Sequence, residues 1–268
     1  LGQRPSRPPG VTELSRDARQ PADATRRFPG NTSLGTLGCP YVFFSGVILA
    51  SLGLMIHWHA AAAGGALRAA HWLGLAFLIA GASYMLRTPR AFGKQKSGAI
   101  AALPKLLLLP YLGLTWTTWH LVRTLHRENP FDRLRPNVWI GRRLLAGDPT
   151  PAATVLLDLT CEFDEPAAIR ERFDRYISFP ILDRGTPPET EPVLELVREL
   201  IETNAVVYIH CAQGHGRTGT LAAAFLLVST PNASVDDALA SIRQARPGVR
   251  LAREQRAFVE RVASSLAP

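Results

Sequence analysis

From Tyr41 to Trp58 the chain reads YVFFSGVILASLGLMIHW, without one Asp, Glu, Lys or Arg. A lipid core offers no water to backbone N–H and C=O groups, so a stretch of this composition has one good solution, a helix that bonds them internally. At 1.5 Å per residue it reaches about 27 Å, enough to cross the hydrocarbon layer. Ala69 to Leu86, AAHWLGLAFLIAGASYML, is a second such run, which a cleavable leader would not show. Trp58 and Trp72 fall at interfacial depth. His57, His59 and His71 gather around the alanine and glycine turn between the two runs, and with no carboxylate or cysteine beside them they read as interface residues.

A third apolar stretch, Ile100 to Val122, carries Pro104, Lys105 and Pro110, so it either spans or lies bent in the interface. Charge arbitrates, because cytoplasmic loops accumulate Arg and Lys. The N-terminal residues (Arg4, Arg7, Arg16, Arg19, Arg26, Arg27), the segment after the second run (Arg87, Arg90, Lys94, Lys96) and the segment after the third (Arg123, Arg127, Arg133, Arg135) are all basic; only Ala60 to Arg68 is poor in charge. Two spans and a bent third element place the three basic regions on the cytoplasmic side. Leu106 to Leu109, Trp116 and Trp119 would then float the rest of the chain on the inner leaflet. The expected organisation is a disordered basic tail over residues 1–38, rich in Arg, Pro, Ser and Gly, an all-α membrane region over 39–125, and a soluble domain over 130–268.

The net charge of +8 over 268 residues invites a nucleic-acid reading. The arginines flank apolar stretches and are not interleaved with exposed aromatics, which favours an anionic membrane surface as partner and excludes nucleic acid. Cys39, Cys161 and Cys211 show neither CxxC spacing nor metal-ligand spacing with histidine, so no disulfide framework, metal or other cofactor is indicated, and a reducing compartment fits.

Pro130 to Pro268 alternates short β-branched runs with helical patterns. Strands are expected at Asn137 to Ile140, Thr154 to Leu159, Tyr176 to Phe179 and Ala205 to Ile209. Helices are expected at Ala167 to Asp174, Glu191 to Glu202, Thr218 to Val228, Ser234 to Gln244 and Arg253 to Leu266, with Ser234 and Asp237 spaced as a capping box. The fold class is α/β, with a central, largely parallel sheet flanked by helices on both faces. Ligands of such sheets bind at the carboxyl ends of the strands.

One strand end carries the chemistry. His210-Cys211-Ala212-Gln213-Gly214-His215-Gly216-Arg217-Thr218-Gly219 lies between the strand ending at Ile209 and an apolar helix. N–H groups of a helix start and of a glycine turn converge on a point where an anion can sit. They stabilise a negative sulfur there as well, so Cys211 reads as a nucleophile. Arg217, six residues on, offers a planar fork to two phosphoryl oxygens, which lysine lacks.

These residues resemble the Cys-x5-Arg signature of the protein tyrosine and dual-specificity phosphatase superfamily. The resemblance covers the C-terminal half of the chain. It implies a dual-specificity-phosphatase-like fold and metal-free hydrolysis of phosphate monoesters through a cysteinyl-phosphate. Cys211, Arg217, Asp183 and Thr218 would be catalytic. His210, Ala212, Gln213, Gly214, His215, Gly216 and Arg217 would bind the substrate, His210 by ordering the loop and His215 by adding positive charge at its rim when protonated. Asp183, in the proline- and glycine-rich stretch after Phe179, would be the general acid, with Asp174 as the alternative. Thr218 would assist breakdown of the phosphoenzyme or serve as a helix cap. Some lipid-phosphatase members pair a cysteine near the Cys161 position with the nucleophile, so Cys161 is either a redox partner of Cys211 or a small buried residue. The segment Glu162-Phe163-Asp164 also looks like the acidic and aromatic turn of mitochondrial-type phosphatidylglycerophosphate phosphatases, whereas the nucleophile loop departs from theirs. Three functions follow in order: a phosphatase of a phospholipid head group such as phosphatidylglycerophosphate, an integral membrane protein with its catalytic domain facing the cytoplasm; a membrane-tethered dual-specificity protein phosphatase; and a phosphate-binding scaffold without activity.

Overall fold

The computed structural model describes residues 40–62, 68–125 and 128–266. The expected basic tail and Cys39 lie outside them. The two uncharged runs form helices α1 (Pro40–Ala62) and α2 (Arg68–Met85). Gly46 meets Gly81 and Gly53 meets Gly74 in an antiparallel register, each pair seven residues from the next. A β-carbon built on either glycine of α1 would lie 2.7 Å from the facing carbonyl. Glycine at these crossings brings the two backbones into contact, the packing device of helices that have no hydrophobic drive to associate in lipid. His57 and His71 lie side by side near the turn, Nδ1 to Nδ1 at 3.2 Å. The outer surface stays apolar, with Phe43, Phe44, Ile48, Leu54, Met55, Trp58, Trp72 and Leu75 exposed. By length and composition α1 alone among the described helices is long and apolar enough to cross a membrane, and α2 is a shorter apolar helix.

The third apolar stretch is helix α3 (Ala102–Leu125), continuous through Pro110. Leu108, Tyr111, Leu112 and Trp119 recur on one face and are buried. The opposite face would be polar on a water-exposed helix. Instead Leu103, Leu106, Leu109, Leu114, Trp116, Leu121 and Leu125 are exposed there. Trp72 of α2 donates its indole N–H to Leu106 O at 3.0 Å, joining the two apolar surfaces.

The chain after α3 holds a five-stranded sheet of order β1-β2-β5-β3-β4, from β1 (Phe131–Arg135), β2 (Val138–Arg142), β3 (Val155–Thr160), β4 (Arg175–Ile181) and β5 (Val207–Cys211). Only β1 runs antiparallel. β1 is the strand that the sequence reading missed. Its Arg133 and Arg135 count in sequence as part of the basic segment after the third apolar stretch, yet the edge position leaves those side chains room outside the core. Helices α5 (Glu191–Glu202), α6 (Gly216–Ser229), α7 (Val235–Ala245) and α8 (Arg253–Leu266) pack against Val138, Ile140, Val155, Leu157, Val207 and Ile209 on one face. Helix α6 is buried from Arg217 to Leu227. The Ser234–Asp237 capping box at the start of α7 is present in both directions.

The expected second helical layer is absent among the described residues. The predicted helix over 167–174 is one turn, α4 (Ala167–Arg170), because the N–H groups of Asp174 and Arg175 both turn to Thr154 O to open β4. The second face is covered by an aromatic cluster of Phe131, Trp139, Phe173, Tyr176 and Tyr208 and by the segment between α2 and α3. That segment folds into a small hairpin, Lys94 bridging Ile100, and the backbones of Gly98 and Ile100 bond to Glu165 and Asp164. Lys94, expected among the basic residues at a membrane surface, is instead fully buried: its ammonium lies 2.8 Å from Asp158 Oδ2 under β3. Arg87 likewise reaches Glu254 of α8 at 2.8 Å. Contacts thus cross the expected boundary near residue 130 at several places.

Candidate active site

The loop from Cys211 to Arg217 leaves the carboxyl end of β5 and enters α6, as the strand-loop-helix pattern required. Gly214 takes the left-handed conformation, φ +75°, and a β-carbon there would collide with the Gly141 carbonyl. Both facts demand glycine. The loop's carbonyls are all turned outward. Cys211 O accepts from Arg143 N at 2.8 Å. Ala212 O accepts from the indole of Trp119 at 2.7 Å. Gln213 O and Gly214 O accept from Arg246, at 3.3 and 3.0 Å. With the carbonyls held outside, the amide edge faces the nucleophile: Gly214 N–H donates to Cys211 Sγ at 3.3 Å. Among the described residues no acceptor takes the amides of Ala212, Gln213 or His215. This is a nest suited to a tetrahedral anion.

Arg217 is buried beneath the loop and held by Glu162. Nη1 lies 2.9 Å from Oε2 and Nη2 lies 2.6 Å from Oε1, a two-pronged ion pair. Nη1 also donates to Ile181 O at 3.0 Å, and Nη2 reaches Asp183 Oδ1 at 3.1 Å. Nε has no partner. A buried guanidinium donor without an acceptor is costly unless something is meant to fill it, and an anion on the loop is the natural acceptor. Burial disfavours the charged forms of both partners. Their mutual attraction overrides it, holding Glu162 below the ordinary carboxylate range and Arg217 firmly protonated.

Asp183 follows β4 at the tip of a turn closed by Gly185 N–H to Leu182 O at 2.9 Å. Its carboxylate is more than half exposed while one oxygen touches Arg217, so it faces the mouth of the site and can exchange protons with solvent. Asp174, the alternative acid, lies just before β4 at the amino end of the edge strand, the end of the sheet opposite the loop. In sequence, Glu162 stands out only as part of an acidic and aromatic turn. Its place at the end of β3, where a register shift against β4 follows Asp158, is what makes it the partner of Arg217.

The remaining expectations divide. His215 is at the loop rim, its Nε2 2.7 Å from Glu128, which also pairs with Arg246. Gln213 is partly exposed beside it. Gly216 fits under the Gln255 amide, 2.7 Å from where a β-carbon would be. Thr218 Oγ1 donates to Gly141 O at 3.4 Å, which ties α6 to β2.

His210 is fully buried below the loop and cannot touch a substrate; it supports the loop from Nδ1 to Cys211 O at 3.4 Å. Burial, with Lys94 and Arg143 adding to it against the pull of Asp158, lowers its pKa to about 4. Asp158, Glu165 and His210 present ligand atoms within 4.8 Å of one another, the spacing of a metal trio. The Lys94 ammonium supplies the cation there. Cys161 and Cys211 are both free thiols. Burial first, and the Glu162 carboxylate next to it, push the Cys161 thiol up, so it is a poor nucleophile.

A five-stranded sheet with a cysteine-bearing anion nest at the end of β5, a buried arginine and a carboxylate just past the end of β4 can bind a phosphate ester and set a thiol and an acid beside it. Residues 152–260 match the family model described as dual specificity phosphatase, catalytic domain. Over these residues the chain is similar to the catalytic domain of that family. A protein of Invertebrate iridescent virus 6 described as putative tyrosine phosphatase 197R is 30% identical over 105 residues, covering 32% of this chain and 39% of that protein. The chain thus spans about two fifths of that relative's length. The crystal structure of Tk-PTP in the active form aligns with a TM-score of 0.43 at 25% identity, covering 51% of this chain and 98% of that one. The crystal structure of PTPMT1 aligns with a TM-score of 0.39 at 15% identity, covering 50% and 94%.

Proposed function

We propose that this protein is a membrane-anchored phosphatase that removes a phosphate monoester from a phospholipid head group. The supporting observation is that one helix, α3, has its buried face on the nucleophile loop through Trp119 and its outer face covered in exposed leucines. A lipid surface that accepts those leucines brings the loop to head-group depth. The near end of α3 is tied to the catalytic domain at Asp164 through Ile100 and Lys105, and the far end at Ala212. A helix anchored on one domain at both ends favours the bent, interfacial reading over a third span. The basic segment after α2 then shares the domain's side of the membrane, which the charge pattern makes the cytoplasmic side.

In the reaction, Cys211 Sγ attacks phosphorus and forms the S–P bond while the P–O bond to the lipid alcohol breaks. Arg217 and the loop amides take the charge building on the phosphoryl oxygens. Asp183 gives its proton to the departing oxygen, then removes one from the water that attacks phosphorus. The S–P bond breaks, its electron pair returns to sulfur, and inorganic phosphate leaves.

A membrane-tethered dual-specificity protein phosphatase is the second reading, favoured by the family description of the domain and by the tyrosine phosphatase name of the viral relative. The test is turnover by the purified full chain of phosphatidylglycerophosphate in vesicles against a phosphotyrosine peptide, with Cys211→Ser as blank. Lipid turnover exceeding peptide turnover is the expected result. The reverse ratio supports the protein phosphatase, and turnover of neither means a scaffold.

A further inference from the structure

Every carbonyl from Cys211 to Gly214 has an outside donor, and three of these four holds come from the catalytic domain itself, through Arg143 and Arg246. The fourth does not. Ala212 O is held by Trp119 Nε1 at 2.7 Å, from a helix lying N-terminal to the matched phosphatase domain. Trp119 was expected at the membrane interface, yet only 3% of it is exposed. Its ring is packed by Phe163 at 5.7 Å between centroids and by the Arg143 guanidinium at 5.6 Å. Arg143 in turn is fixed by Glu165 at 3.2 Å. The indole is therefore set in one orientation, its single donor aimed at the loop.

We propose that Trp119 is a positioning residue of the phosphate site: its N–H keeps the Ala212 carbonyl out of the cradle, so the Gln213 amide of the same peptide group faces the phosphate. A peptide is planar, and turning one end outward turns the other inward. Without the indole N–H, the remaining donor to Ala212 O is Arg143 N, at 3.3 Å and already bonded to Cys211 O. The peptide then has less to stop it rotating its carbonyl toward the bound anion, where oxygen would face oxygen. Helix α3 is thereby part of the catalytic apparatus as well as its seat on the membrane.

The inference rests on reading the loop as a phosphate cradle, and the test separates the two. Orthophosphate binding is measured calorimetrically on the full chain carrying Cys211→Ser, with and without Trp119→Phe, which keeps an aromatic ring and removes the donor. Turnover of para-nitrophenyl phosphate is measured with Cys211 intact. Loss of about one neutral hydrogen bond's worth of order should weaken phosphate roughly five- to tenfold and lower kcat/KM in proportion. The melting temperature should stay close to that of the parent. Trp119→His, which retains a ring N–H, should recover part of the loss, and Trp116→Phe, on the outer face, should change nothing. Unchanged phosphate affinity in Trp119→Phe, or an equal loss in Trp116→Phe, overturns the positioning role. Absence of phosphate binding by the parent overturns the cradle itself. In 15N-tryptophan-labelled parent protein, the Trp119 indole resonance should shift on saturation with orthophosphate; an unmoved resonance also counts against the role, whatever the variants' stability.

Discussion

Arg217 and Asp183 divide one job by depth. Arg217 is buried and locked on Glu162, so its charge is permanent and its position fixed, while Asp183 stands at the mouth, where a proton must come and go. If Asp183 is the acid, Asp183→Asn should hardly slow the first-turnover burst of para-nitrophenolate from para-nitrophenyl phosphate, whose leaving group departs as a stable anion. It should slow an alkyl phosphate by about 10²-fold or more. Equal losses on the two substrates would remove the assignment. Cys211, Arg217 and Asp183 were legible in the sequence because each sits in a local context of glycines, prolines and strand ends. Glu162 was not, since its partner is 55 residues away and only the sheet order brings them together. His210, read as ordering the loop, lies on the opposite face of the strand from its neighbour Cys211 and reaches the Cys211 carbonyl from below.

The hairpin around Lys94 shows how an element can be misread when its charge is counted without its partner. Asp158 points to the sheet face that no long helix covers, and a lone buried carboxylate is prohibitive. Burial opposes its ionised form, but Lys94 and then His210 hold it well below the usual range. Lys94→Met should therefore strand that charge and cost about 3–5 kcal/mol of stability, read as a fall in urea midpoint. A change under 1 kcal/mol would show that the pair is dispensable.

Glu165 lies in the same cluster, and burial and then Asp158 push it up to about 8. It holds its proton more tightly folded than unfolded, so its contribution to stability is complete below its ordinary value of 4.5 and is lost as pH rises through about 8. His210, lowered to about 4 from 6.5, acts oppositely, its contribution disappearing as pH falls through that range. Of these two groups, Glu165 alone titrates above pH 6.5. The melting temperature should fall from about pH 6.5 to about pH 8.5, and Glu165→Gln should flatten that slope. A parent slope surviving in the variant would assign the titration elsewhere. The boundaries of α5 and α8 match their amphipathic patterns to the residue, whereas α4 is cut short by bonds to the remote Thr154 carbonyl, and β1, though a hairpin partner of the adjacent β2, is hidden in sequence by its charged residues.

In the whole molecule the apolar helices α1 to α3 and the sheet-bearing part are joined by Lys94, Arg87 and Trp119. Apolar runs disclosed these helices, but not that α3 would turn a tryptophan inward, since Trp116 and Trp119 look alike in sequence and differ only in which face meets the loop. The account stands on Cys211 carrying the phosphoryl group at a lipid surface. The direct measurement is acid quench of the full-length Asp183→Asn protein within the first turnover on phosphatidylglycerophosphate vesicles, followed by mass analysis of the peptide containing residue 211. The account predicts a single phosphoryl adduct on Cys211 that is absent when Cys211→Ser is added. Lipid turnover that leaves Cys211 unmodified, or that persists in Cys211→Ser, would contradict it.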